Sequence, residues 1–334
     1  CCDRPCISKT LPLLCGVIVW LLTASGFAAE VISWHGYGRA IELRNGTVRV
    51  VLCPEVGGRV LEYSLNGENV LYVSEEEKQW RPGQKPASSA GRFDIGPELV
   101  IPRRPILWSG EWKGEVTGIR SARLTSPQDP ETGVQLVRDF TLDAEGTHLE
   151  CRQTIVNVSD SMKEWCHWSR TFAVGRGICL IPLSDPQSGP KSRFPNGWVM
   201  YEEGSLINMK PEDPKIQRRG NVLEIRPVPR KPKMGFDSYA GQIIYLAPNN
   251  LLFFKRFATW PDRVYNEAAG LTISVWYPDN QMIELEPIGP RERLQPGESA
   301  SFSEHWYLTP HEFPGSESEI DVKAVLSIAD RLQE

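Results

Sequence analysis

Long basic segments, long amphipathic helices and Cys-x-x-Cys pairs are all missing from this chain of 334 residues. The formal net charge is −5 and no extended run of lysine or arginine occurs. We therefore expect neither nucleic acid nor an anionic membrane as a partner. None of the eight cysteines has the Cys-x-x-Cys spacing of metal knuckles and redox motifs. The sequence gives no reason to expect a metal or another cofactor.

A membrane-spanning apolar run is also missing. The longest apolar stretch near the start, residues 11–24, has about fourteen residues, whereas a span needs about twenty. Arg4 and Lys9 precede this stretch, and Gly26-Phe27-Ala28 follows it with small residues. This order predicts a signal peptide over residues 1–29 and export to the periplasm or the extracellular space. No membrane contact is expected after its removal, and residues 30–334 are expected to form one domain.

Four cysteines remain after the predicted signal peptide, at positions 53, 151, 166 and 179. An exported compartment permits disulfides. Their spacings indicate no particular pairing, and we interpret them as small buried thiols.

Strand patterns fill the rest of the chain and predict an all-β fold. Residues 40–53 and 57–73 form two hairpins around Asn45-Gly46 and Asn66-Gly67, pairs that tolerate positive φ. The proline-rich segment 182–232 is expected to form long loops. Apolar spacing near the end predicts a short helix within residues 318–333, packed on the outside. Further strands are expected at 134–142, 148–158, 168–173, 241–246, 251–257 and 271–276.

The segment 276–308 contains two runs of strand period around a turn rich in proline and glycine. Glu284 and Glu286 alternate with Ile283 and Leu285, so both glutamates point to one face of the first strand. Such alternation is typical of any half-solvated antiparallel strand. It also places two carboxylates where they can transfer protons.

The order of several short motifs resembles that of aldose 1-epimerases, the galactose mutarotase-like proteins. Gly57-Gly58-Arg59-Val60 resembles a Gly-Gly step before the family's first long strand. Residues 157–160 (Asn-Val-Ser-Asp) and 166–172 (Cys-His-Trp-Ser-Arg-Thr-Phe) are similar to a passage that ends in His-t-Y-F. Leu285-Glu286-Pro287 and the later Leu-Gln-Pro-Gly-Glu at 294–298 resemble the C-terminal part. The resemblance implies a β-supersandwich of two large antiparallel sheets and a carbohydrate ligand, either a monosaccharide or the end of an oligosaccharide.

By this resemblance Glu286 is the general base and His167 the general acid that open and reclose a sugar ring. Glu286 is preferred over Glu284 because it directly precedes Pro287, as the family's base does. His167 is also compatible with a structural histidine beside Trp165 and Trp168.

The resemblance also implies substrate-binding residues. In the loop at residues 90–98, Arg92 stands where the family contacts sugar hydroxyls, and Asp94 or Glu98 would accept hydrogen bonds. An ordinary surface pair in a Gly-Pro loop remains the alternative. Trp108 offers a ring face for sugar C–H groups. Asp237 loosely matches a later sugar-binding aspartate, although a structural role is favoured for it.

One departure from the family concerns histidine. Characterised epimerases have a second histidine shortly after the Gly-Arg loop, whereas here none lies between His35 and His148. Three interpretations therefore stay open: a mutarotase-like enzyme that interconverts sugar anomers, an exported carbohydrate-binding module on the same fold, and a structural β-domain of an envelope assembly.

Overall fold

Alternating sequences pair into two large antiparallel sheets, as a computed structural model of the protein shows. The structure describes residue 2 and residues 28–87, 89–184, 189–203 and 206–332. The predicted signal peptide lies almost wholly outside the described residues. The predicted all-β sandwich is confirmed.

The first sheet, called the site sheet here, has twelve strands in the order β1-β2-β3-β4-β6-β11-β21-β20-β17-β13-β14, with β5 paired to β4. Its strands are β1 (Glu30–Trp34), β2 (Tyr37–Arg44), β3 (Val48–Cys53), β4 (Arg59–Leu65), β5 (Glu68–Asn69), β6 (Gly91–Gly96), β11 (Lys163–Val174), β13 (Val199–Tyr201), β14 (Ile207–Asn208), β17 (Lys233–Phe236), β20 (Ile273–Trp276) and β21 (Met282–Leu294).

The second sheet, called the back sheet, has ten strands in the order β15-β16-β12-β18-β19-β22-β10-β9-β8-β7. Its strands are β7 (Lys113–Gly118), β8 (Ser121–Thr125), β9 (Val134–Leu142), β10 (Leu149–Asn157), β12 (Ile178–Pro182), β15 (Ile216–Arg219), β16 (Val222–Ile225), β18 (Gln242–Ala247), β19 (Leu251–Phe257) and β22 (Ser299–Pro310).

Helical structure is limited to short pieces, as predicted. Two of them, α1 (Glu75–Lys78) and α2 (Pro105–Ser109), lie between strands, and a 3-10 turn covers Ala268–Gly270. The helix α3 (Val322–Arg331) lies within the predicted terminal segment, and its Val325 and Ala329 pack on apolar residues of the back sheet. In the part of the chain that the structure describes, no helix is long and apolar enough to span a membrane.

Both Asn-Gly hairpins form where the sequence predicts them. Asn45 accepts hydrogen bonds from the backbone of Thr47 and Val48 between β2 and β3. Asn66 has a φ of 52° and Gly67 a φ of 90° between β4 and β5, so the turn uses the positive φ that these residue types tolerate.

Cys53, Cys151, Cys166 and Cys179 are buried free thiols, as interpreted from the sequence.

Two predictions about irregular segments were wrong. The first run of segment 276–308 does not end at its first proline, because β21 continues through Pro287 to Leu294, and the turn rich in proline and glycine lies at residues 295–298, before β22. A register shift opposite Cys166 and Trp168 takes up one extra residue of β21 between Ile288 and Arg291. Prolines are tolerated at such bulges. The segment 182–232 also contains short strands, β13 to β16, as well as loops.

The core between the sheets distinguishes the two faces of each sheet. Lys255 of β19 donates to Thr171 of β11 and to the carbonyl of Leu285 in β21. Thr171 therefore points toward the back sheet. Since side chains alternate along a strand, Trp168 and Arg170 lie on the outer face of the site sheet.

Candidate functional site

Two carboxylates from the middle of β21 lie on the outer face of the site sheet. Glu284 and Glu286 share this face, as the alternation predicted, but they are not solvated: their exposed fractions are 1% and 0%. Trp276 and Ser274 of β20 are their cross-strand partners on one side. Burial of two carboxylates side by side is costly unless they are paired or protonated.

Arg170 of β11 shares its positive charge between the two carboxyl groups. Its Nε donates to Oε1 of Glu284 at 2.8 Å, and its Nη2 donates to Oε2 of Glu284 at 3.2 Å. The same Nε lies 3.3 Å from Oε1 of Glu286. Burial opposes the charge on Arg170, but the carboxylates of Glu284 and Glu286 outweigh this effect and raise the pKa of Arg170 well above its usual range.

Glu286 is the more unusual of the two carboxyl groups. Both of its oxygens are buried and lack a well-formed hydrogen bond. The nearby Ser274 hydroxyl donates to the carbonyl of Met234. Burial, reinforced by the charge of Glu284 and opposed by Arg170 and Lys233, raises the pKa of Glu286 to about 8. A carboxyl group with this pKa exchanges protons near neutral pH.

Aromatic rings enclose the guanidinium of Arg170. Its central carbon lies 5.1 Å from the ring centroid of Trp108 and 5.2 Å from that of Trp168. Trp108 belongs to α2, and Trp168 belongs to the same strand as Arg170. Trp108 is partly exposed, as is Trp276 of β20, so both present ring surface beside the carboxylates.

Arg92 and Asp94 of β6 lie on this same face, beside Arg170. Asp94 accepts from Nε of Arg104 at 2.6 Å and lies 3.7 Å from Nη1 of Arg170. Arg92 stacks on Trp108 at 4.4 Å and donates to the Trp108 carbonyl at 2.5 Å. Burial, reinforced by the positive charges of Arg59 and Arg170, lowers the pKa of Arg92 to about 9. Arg92 and Asp94, which were expected in a loop, therefore lie on a strand of the site sheet and join the site through contacts within the protein.

Glu98 extends the site toward β17 and β13. Lys233 donates to the Glu98 carboxylate and lies 4.9 Å from the ring centroid of Trp168 and 5.0 Å from that of Tyr201. The Tyr201 hydroxyl and the indole N–H of Trp168 are buried without hydrogen-bond partners. Glu267 accepts from the backbone N–H of Glu98 at 2.8 Å, and burial raises its pKa to about 7. This end of the face thus contains buried polar groups without hydrogen-bond partners in the protein.

The structure does not bring His167 to this face, so the predicted pairing of His167 with Glu286 is wrong. The His167 ring lies between Phe93 and Phe302, with centroids 5.7 Å from each. Its Nε2 is 3.1 Å from the carbonyl of Ala300 in the back sheet. The ring therefore points into the core between the sheets. Burial lowers the pKa of His167 to about 4, so the ring is neutral at physiological pH.

Asp237 also lies apart from the cluster. It accepts from the Ser192 hydroxyl at 2.6 Å and from the backbone N–H of Arg193 at 2.8 Å. These bonds fix the loop at 192–193, as expected from the structural interpretation of Asp237.

In the part of the chain that the structure describes, no group of three or more His, Cys, Asp or Glu residues is arranged to hold a metal ion.

Sequence reasoning missed Arg170, Lys233 and Tyr201. Arg170 follows His167 by three residues, so the strand period places the two on opposite faces. That period separates Arg170 from His167, but without the register of β11 on β21 it does not indicate which of the two shares the face of Glu286. Lys233 and Tyr201 come from short strands within or next to the segment expected to form loops, where no periodic signal identifies them.

Comparison with known proteins identifies the fold. No family profile matches the chain, and no curated protein is significantly similar in sequence. A putative aldose 1-epimerase from Escherichia coli K12 is 12% identical, with a TM-score of 0.55, over 81% of this chain and 99% of that one. A galactose mutarotase-like protein from Lactobacillus casei is also 12% identical, with a TM-score of 0.55, over 81% and 100% of the two chains. A putative mutarotase from Salmonella typhimurium is 10% identical, with a TM-score of 0.56, over 85% and 94%. The chain has the galactose mutarotase-like fold.

Proposed function

We propose that this protein binds the reducing end of a carbohydrate on the outer face of the site sheet and interconverts its anomers, with Glu286 transferring a proton. The observation that carries the proposal is the state of Glu286. Its carboxyl group is sealed from water, both oxygens lack a well-formed hydrogen bond, and its pKa is raised to about 8. Groups with perturbed pKa values in buried clusters are candidates for proton transfer.

The surroundings of Glu286 suit a sugar. Trp108 and Trp276 present ring surface to which C–H groups of a pyranose can pack. Tyr201 and Trp168 provide hydrogen-bonding groups without protein partners. Anomer interconversion needs proton transfer at the anomeric hydroxyl and at the ring oxygen, and it needs no cofactor.

A second candidate is carbohydrate binding without turnover. The position of His167 favours it, because the imidazole that the family resemblance implies as the acid lies on the inner face. The ion pairs of Arg170 with Glu284 and Asp94 are also compatible with a purely structural cluster.

Kinetics and binding measured on the same preparation separate these functions. The probes are the pure α-anomers of D-glucose, D-galactose, D-mannose and D-xylose, followed by polarimetry, with lactose, maltose and cellobiose as reducing disaccharides. Acceleration of any interconversion above the uncatalysed rate supports the enzyme. Saturable binding of a sugar with no acceleration supports the binding module and overturns the enzyme.

We also propose that the protein is exported after cleavage near Ala28 to Glu30. The support is the basic, apolar and small-residue order of the first 29 residues. Amino-terminal sequencing of the protein from its native cells tests this proposal. Recovery of the intact apolar stretch in a soluble cytoplasmic fraction contradicts it.

A further inference from the structure

We propose that Glu284 is the second proton-transfer residue: Glu284 takes the proton from the anomeric hydroxyl while protonated Glu286 gives its proton to the ring oxygen. This inference rests on the proposed function and assigns the roles within it. It replaces the histidine acid of the family resemblance with a pair of carboxyl groups on one strand.

The carboxyl groups of Glu284 and Glu286 both lie next to the guanidinium of Arg170. Oε1 of Glu284 is 2.8 Å and Oε1 of Glu286 is 3.3 Å from the same Nε atom of Arg170. The two side chains alternate on β21 and share the outer face, with β11 on one side and β20 on the other. Both carboxyl groups therefore lie against one guanidinium on one face of the sheet.

Glu284 and Glu286 differ in the hydrogen-bond donors that surround them. Arg170 donates two hydrogen bonds to Glu284. Glu286 has no such donor pair and is fully buried, and this favours its protonated form. The two carboxyl groups thus differ in their hydrogen-bond partners, and such a difference suits a division of roles into base and acid.

The proton count balances through a full cycle. The anomeric O–H bond breaks and its proton goes to Glu284, the bond between the anomeric carbon and the ring oxygen breaks, and the ring oxygen takes the proton of Glu286. The open-chain aldehyde then rotates about its carbon–carbon bond. On closure, Glu286 takes back the proton of the attacking hydroxyl, and Glu284 returns its proton to the carbonyl oxygen. Both carboxyl groups are restored with no oxidant or reductant.

Other charged groups face the pair from each neighbouring element, so they contribute to any pH dependence. They are Arg92 and Asp94 on β6, Glu98 and Arg104 in the following loop, Arg170 on β11, Tyr201 on β13, Lys233 on β17 and Glu267 before the 3-10 turn. Burial raises the pKa of Glu267 to about 7. The pH dependence of kcat/KM for the Glu267→Gln protein therefore shows how much Glu267 contributes.

The pH dependence of kcat/KM for the wild-type protein tests the assignment without any variant of the pair. If Glu286 is the acid, kcat/KM falls as the pH rises through about 8, because the proton to be donated is lost. If Glu286 is the base, kcat/KM rises through the same range, and this result overturns the proposal.

Substitution of Glu284 gives the second test. Glu284→Gln is expected to lower kcat/KM by about a hundredfold to ten-thousandfold, and Glu284→Asp is expected to restore part of the rate. Glu292→Gln is the matched control, because Glu292 lies on the same strand and pairs with Arg263 at 2.6 Å away from this face.

The outcomes distinguish this inference from the proposed function. Full activity of a folded Glu284→Gln protein, together with loss of activity in Glu286→Gln, overturns the role of Glu284 alone. A wild-type protein that accelerates no sugar overturns the proposed function, and the role of Glu284 fails with it. If Glu284→Gln does not fold, the wild-type pH profile still decides between the two assignments of Glu286.

Discussion

Arg170 approaches Glu286 across neighbouring strands, with its Nε atom 3.3 Å from Oε1 of the carboxyl group. It lies beside the buried carboxyl group on the face where the family resemblance implies an imidazole. An arginine stays protonated at all physiological pH values and does not act as a general acid. Arg170 therefore supplies a fixed positive charge beside the two carboxyl groups.

His167 is expected to contribute to stability and not to proton transfer. His167→Phe keeps a ring between Phe93 and Phe302 but removes the hydrogen bond to the Ala300 carbonyl. Loss of one such bond lowers the free energy of unfolding by about 1 kcal/mol. We expect kcat/KM within about threefold of wild type, since about a hundredfold or more is lost with a true acid or base. A hundredfold loss in a protein that unfolds normally in urea contradicts the inward placement.

Glu286 should make the stability of the protein depend on pH. Its pKa is about 8 in the folded protein against an ordinary value of 4.5. The stability that it contributes is therefore complete below about pH 4.5 and is lost as the pH rises through about 8. Glu286→Gln stays neutral, so its free energy of unfolding should increase relative to wild type between pH 5 and pH 8.5.

Urea unfolding at both pH values measures this difference. Glu267 titrates in both proteins and cancels in the comparison. A difference between Glu286→Gln and wild type that stays constant with pH contradicts the raised pKa.

Trp108 is expected to form one wall of the sugar site. Its ring lies 4.4 Å from Arg92 and 5.1 Å from Arg170, and each such contact contributes about 0.5 to 2 kcal/mol. Trp108→Ala should weaken sugar binding about tenfold or more, whereas Trp108→Phe, which keeps a ring face, should lose much less. Isothermal titration calorimetry, with a sugar on which the protein acts in polarimetry, measures the sugar affinities of wild type, Trp108→Phe and Trp108→Ala. Equal affinities for the two variants contradict the stacking role.

Asp237 is expected to hold the loop at 192–193 and to leave sugar affinity unchanged. Asp237→Ala removes the acceptor for the Ser192 hydroxyl and the Arg193 backbone N–H. A buried donor left unpaired costs about 1 to 3 kcal/mol. Faster amide exchange in this loop with an unchanged KM is the expected result. A large rise in KM with unchanged exchange points instead to direct contact with the sugar.

The fold follows from local patterns that the chain repeats. Alternation and the two Asn-Gly pairs predicted the hairpins β2–β3 and β4–β5 because each signal acts within a few residues. The continuation of β21 through Pro287, Gly289 and Pro290 could not be predicted in this way. It depends on pairing with β11 and β20 and on a bulge opposite Cys166 and Trp168, which are tertiary features.

The site was predictable in part. The sequence predicted that Glu284 and Glu286 share a face, but it gave no basis for deciding which face of β11 points outward. His167 and Arg170 both occur among apolar neighbours, because each face of this strand is covered. The contacts of Arg170 with Glu284 and of Lys233 with Glu98 join residues more than a hundred positions apart. Only the paired sheet brings them together.

The central claim is that Glu286 transfers a proton during anomer interconversion. The most direct test is the rate of interconversion of a sugar on which the wild-type protein acts, measured by exchange of the anomeric proton signals in NMR, with wild type and Glu286→Gln at equal concentration. We expect Glu286→Gln to lower this rate by about a hundredfold to ten-thousandfold, with sugar affinity retained within about tenfold. A folded Glu286→Gln protein that interconverts the anomers as fast as wild type contradicts the claim.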